Sequence, residues 1–160
     1  MGAGRWAAHA IVIATAMVFF AGLVARRDGE DRRRAAYFAL SAMTMISFAL
    51  TIILTSTALT IALACMVLLA ALIDQRLNLK LLTVLMQVGA VVAGWRLIVD
   101  PGLPWAEFAP IWELIFGYGA GVALLAAAWW VLGQRQRLST MVVVESAAWL
   151  HAGVLGAVLM

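Results

Sequence analysis

The sequence predicts an all-α protein: a polytopic bundle of about six transmembrane helices, entered with the amino-terminus outside. Three observations carry that expectation. Hydrophobic residues make up 66% of the chain and charged residues 12%, and mean hydropathy is +1.03, whereas a soluble domain is about half apolar and a quarter charged. The apolar residues fall into runs of span length, about 20 residues each. Nine of the eleven lysines and arginines lie in three short loops, which is the charge pattern of membrane topology and not of a nucleic-acid surface.

The first run, 6–25, is followed at once by Arg26, Arg27, Arg32, Arg33 and Arg34. A cleaved signal would have a basic front, a shorter apolar core and a small-residue cleavage site, so this run reads as a retained helix. From Ala35 to Ile73 no residue is charged. As one helix that stretch would reach roughly 58 Å, against a hydrocarbon core of about 30 Å. It therefore divides into spans 35–54 and 57–73, broken at Thr55-Ser56-Thr57, whose hydroxyls can bond backbone freed by a tight turn.

After the loop Asp74–Lys80 comes span 81–99, closed by Asp100-Pro101-Gly102-Leu103-Pro104, a cluster of strong chain breakers. Span 110–132 opens on Pro110, a residue suited to a first helical turn. Gly133–Arg137 is the third basic loop, and 141–160 is the sixth span. The whole chain reads as one transmembrane domain. With the amino-terminus outside, the inner loops hold five, two and two basic residues and the outer side only Arg5 and Arg96. Trp95, Trp105 and Trp112 then gather at the outer interface, with Trp129 and Trp130 at the inner one.

Ionisable groups inside spans are costly and mark candidate sites. Arg96 and Asp100 are spaced for an i,i+4 ion pair; the sharper reading is an anion or headgroup site. Glu113, preceded by Glu107, suits the amino-terminal end of a helix or a cation entry point. Glu145, expected as a buried polar group, lies about one turn inside the sixth span, within reach of water. His151 is near mid-membrane, as an interhelix hydrogen bonder, a proton relay or a pigment ligand. His9 near the outer face differs from His151 by roughly 10 Å in depth, poor geometry for a shared haem iron.

Small residues suggest helix contacts: Gly117 with Gly121, and Ala90 with Gly94, are spaced for close backbone approach in lipid. Ser41, Thr44, Ser47, Thr51 and Thr55 form a hydroxyl stripe on the second span, expected as an interhelix hydrogen-bonded seam, and Gln87 is a similar candidate. Cys65 is the lone cysteine, so no disulfide framework or metal cluster is expected. No phosphate-binding loop, HExxH or serine elbow occurs in the sequence. No catalytic residue, metal or cofactor is therefore assigned, and no enzyme activity is expected.

Three passages carry a family resemblance over roughly the last hundred residues. They are Leu72-Ile73-Asp74-Gln75-Arg76-Leu77, Trp95-Arg96-Leu97-Ile98-Val99-Asp100-Pro101, and Pro110-Ile111-Trp112-Glu113-Leu114-Ile115-Phe116-Gly117-Tyr118-Gly119. The chain resembles a family of very large bacterial polytopic inner-membrane proteins known only as a domain of unknown function. Asp100 and Glu113 stand where that family's pattern has asparagines, and family members carry many more spans. The resemblance implies a multi-pass protein of the bacterial inner membrane: a short relative, a split piece or a subunit.

Two functions fit. One is an integral membrane subunit or scaffold that packs against other membrane proteins through small-residue helix faces. The alternative is a transporter or channel module using Arg96, Glu113, Glu145 and the hydroxyl stripe. The absence of Gly or Pro breaks at mid-depth and of an evident repeat weighs against transport. The expected partners are the lipid bilayer and other membrane subunits, not nucleic acid.

Overall fold

Six apolar segments give six helices, because backbone polar groups in lipid must be satisfied within the segment. The computed structural model describes residues 3–27, 33–54, 56–99 and 108–160, with no strand among them. The helices are α1 (Ala3–Arg27), α2 (Arg33–Ile53), α3 (Ser56–Leu77), α4 (Leu82–Val99), α5 (Ile111–Gly133) and α6 (Leu138–Leu159). All six are long and apolar enough to cross a membrane. The protein is an all-α, multi-pass membrane bundle.

Local chemistry sets the helix ends. α3 does not stop at Ile73 but runs one turn further, taking Asp74 out of the loop and into the helix. It ends at Asn78, whose φ of 53° is the left-handed conformation that asparagine tolerates better than most residues. The Asn78 N–H donates to the Asp74 carbonyl at 2.8 Å, satisfying one of the orphaned carbonyls at a helix end. α5 follows Pro110, whose carbonyl accepts from Glu113 and Leu114 N–H at 2.9 and 3.3 Å.

α5 also differs from a uniform span. Residues Ile115–Gly119 form one π turn between the α-helical pieces Ile111–Leu114 and Ala120–Gly133. Gly117 and Gly119 lie within it and Gly121 just beyond, so the wider turn meets little Cβ crowding there. α6 begins at Leu138, three residues before the apolar run at Met141, because Ser139 and Thr140 are accommodated within the helix.

The helices form a row of three antiparallel hairpins. α3 packs along α4 and α5, and α6 along α4 and α5. The core between them consists of small and flexible side chains: Ala64, Ala70, Ala71, Met86, Ala90 and Ala128 among Leu82, Leu125, Leu132 and Val144. In lipid, helix association depends on such close packing and not on the hydrophobic effect. α2 reaches this core through Ala36 and Met43. α1 packs chiefly along α2, on a seam of alanines that includes Ala10 and Ala49, with Phe20 stacked on Phe38. The bundle thus has two open edges, α1 at one and the outer wall of α5–α6 at the other. Large apolar residues cover those walls, as lipid-facing surfaces require; Phe19 and Trp149 are 64% and 71% exposed.

Because the spans alternate in direction, one end of the bundle gathers Arg26, Arg27, Arg33, Arg34, Arg76, Lys80, Arg135 and Arg137. This is the basic end.

Candidate functional site

The most developed polar cluster lies at the basic end and joins two hairpins. The carboxylate of Asp74 is 1% exposed. Arg137 approaches it as a fork, Nε to Oδ2 at 3.0 Å and Nη2 to Oδ1 at 3.1 Å. The same Nη2 donates to Asn78 Oδ1 at 2.9 Å. Bidentate, charge-assisted pairs of this kind are the strong ones. Around the fork, Arg135 Nε donates to the Gln75 carbonyl at 3.1 Å, and the Gln75 amide donates to the Gln134 side chain. Two connections, 78–81 and 134–137, are thereby latched together. A buried aspartate requires such a partner because isolated burial of its charge is very costly.

Sequence reasoning placed Asp74 in a loop and missed the latch. One signal was available: Asp74 is the only acidic residue in an otherwise basic connection. The partner is 63 residues away, which no local pattern reveals.

His151 is the second buried polar group, 0% exposed, between α6 and α5. Its Nδ1–H donates to the Ala147 carbonyl one turn earlier, at 2.8 Å. That bond fixes the tautomer and leaves Nε2 as an acceptor, which is buried and has no hydrogen-bond partner among the described residues. The ring edge lies against Gly121: a Cβ there would sit 2.7 Å from His151 Cδ2 and 3.2 Å from Nε2. Gly121 is therefore required for this contact. Gly117, Ala90 and Gly94 are also buried within the bundle, and a Cβ on Gly94 would meet Leu150 at 3.3 Å. These small-residue faces are used for the bundle's own packing. α5 lies directly against the ring at Gly121, and His9 is exposed on α1.

Gln87 makes an interhelix bond: its Nε2 donates to Thr140 Oγ1 of α6 at 3.3 Å. The hydroxyl stripe of α2 behaves differently from expectation. Thr44 donates to the Leu40 carbonyl and Thr51 to the Phe48 carbonyl, within their own helix, and both are exposed. Ser41 is exposed and Ser47 half-buried; Thr55 lies outside the described residues. The physical reason is that a threonine hydroxyl in a helix finds the preceding turn's carbonyl without needing a neighbour, so a stripe of them need not mark a seam.

Arg96 is half-buried near the end of α4, and Glu113 half-buried in the first turn of α5. Asp100, Glu107 and Trp105 lie outside the described residues, as does the proposed Arg96–Asp100 pair. Glu145 is exposed on the outer wall of α6, seven residues and so about 10 Å beyond its first residue. That is deeper than the one turn expected from the sequence, because α6 starts earlier. Among the described residues no group of three or more His, Cys, Asp or Glu could hold a metal ion.

No family model, curated protein or solved structure matches the chain. The class is set by the fold itself: a multi-pass helical membrane protein.

Proposed function

We propose that the protein is an integral membrane subunit or scaffold, part of an assembly with other membrane proteins. The observation that carries this reading is Glu145. Ionisable residues within spans almost always face a bundle interior or a water-filled cavity, yet Glu145 stands on the outside of α6 beside Trp149 and Val142, 71% and 63% exposed. A carboxylate in that position is accounted for when a neighbouring protein covers it. The transport alternative rests on Arg96, Glu113, Glu145 and the α2 hydroxyls, of which Thr44 and Thr51 bond their own backbone.

The test is the size of the protein in mild detergent and its dependence on Glu145. The parent is expected to elute as an assembly larger than one chain. Glu145→Leu should elute as a single chain with unchanged melting temperature, since the residue makes no internal contact that would be lost. A parent that is a single chain in native-lipid discs would overturn the reading.

A further inference from the structure

The two open edges of the row carry opposite charges near the same level. On the α6 edge, Leu138, Val142, Glu145 and Trp149 share one exposed stripe. On the α1 edge, Val12, Phe19, Leu23 and Arg26 do the same, with Arg27 beside them. Nothing among the described residues pairs with Glu145, Arg26 or Arg27. Both stripes are apolar apart from these charges, so the carboxylate and the arginines are what distinguish them from plain lipid-facing walls.

Depth and direction also agree. Arg27 ends α1 and Leu138 begins α6, both at the basic end. Placed side by side, Arg26 and Glu145 differ by six residues, about 9 Å along the helix axis. Side chains lean toward the amino-terminus of their helix. Because α1 ends where α6 begins, the arginines lean into the span and Glu145 leans back out toward them. The gap closes from both sides. Within one copy α1 packs chiefly along α2, and α6 along α4 and α5, so the two stripes meet between copies.

We propose that the α6 edge of one copy docks on the α1 edge of a second copy, with Glu145 paired to Arg26 and Arg27, an inference that rests on the subunit reading above. The contact continues the row of hairpins already present within the chain. It is head-to-tail, so it builds rings or rows rather than a closed symmetric pair.

The test uses full-length chains carrying Cys65→Ser, with Leu23→Cys on one tagged copy and Val142→Cys on a differently tagged copy, co-expressed and oxidised in native membranes. Both positions lie four residues from the basic end of their helices and are exposed. The expected result is a disulfide between the two tags. Glu145→Arg on the Val142→Cys copy should lower its yield at least tenfold, and Arg26→Glu with Arg27→Glu on the other copy should restore it. Glu145→Gln should lower the yield while leaving the melting temperature unchanged, which separates the contact from misfolding. A Val142→Cys copy that links to itself or to a different protein would overturn the head-to-tail contact while leaving the subunit reading in place. A copy that links to no protein would overturn both.

Discussion

Replacing Arg137 with leucine is the sharpest perturbation of the fold. The guanidinium makes two bonds to Asp74 at 3.0 and 3.1 Å and one to Asn78 at 2.9 Å, and the aspartate is 1% exposed. Removing one partner of a buried pair strands the other charge and costs about 3–5 kcal/mol. For a chain of this size each kcal/mol moves the melting temperature by about 2–4 °C, so the variant should melt about 6–20 °C below the parent. Asp74→Leu combined with Arg137→Leu should recover much of that loss, since a buried pair replaced by apolar residues is often neutral. Arg137→Lys keeps the charge but loses the fork and should fall between. The assay is tryptophan fluorescence of purified protein during heating in detergent. An Arg137→Leu protein that melts within about 2 °C of the parent would refute the buried latch.

Three further outcomes follow from named contacts. Gly121→Leu places side-chain atoms where His151 already lies, and overpacking of this kind costs about 1–3 kcal/mol; Gly153→Leu, where a Cβ meets nothing within 4 Å, should be silent in the same melting assay. Gln87→Leu removes the bond to buried Thr140, with a loss of about 1–3 kcal/mol for the stranded hydroxyl, checked by the same scan; Thr44→Val, whose hydroxyl serves only its own helix, should change melting by far less. Cysteines at Asp31 and Leu103 should react with an impermeant thiol reagent from opposite sides, Leu103 from outside and Asp31 only after lysis, as the nine-to-two basic asymmetry requires; labelling from one side would contradict the topology.

Much of the fold was legible in the sequence because a bilayer imposes length and polarity on each segment separately. The uncharged stretch 35–73 had to divide, Pro110 had to start a helix, and the basic loops had to share an end. What was not legible depends on neighbours. Asp74 reads as a loop charge until Arg137 is brought beside it by the packing of α5 on α3. The threonines of α2 read as a seam because their spacing is the same whether the hydroxyls face another helix or their own carbonyls. The π turn at Ile115–Gly119 left a trace only in its glycines. Glu145 reads from its place within a span as a buried polar group, yet it is exposed, because its outward direction follows from how α6 packs on α4 and α5, which spacing alone does not fix.

A photo-reactive residue in place of Trp149, beside Glu145 on the outer wall of α6, tests most directly whether this wall is covered by protein. Activated in intact native membranes, it should give a discrete protein adduct that resolves on a denaturing gel and disappears when Glu145 is replaced by leucine. Adducts with lipid alone, unchanged by that replacement, would contradict the assignment of the protein as a membrane subunit.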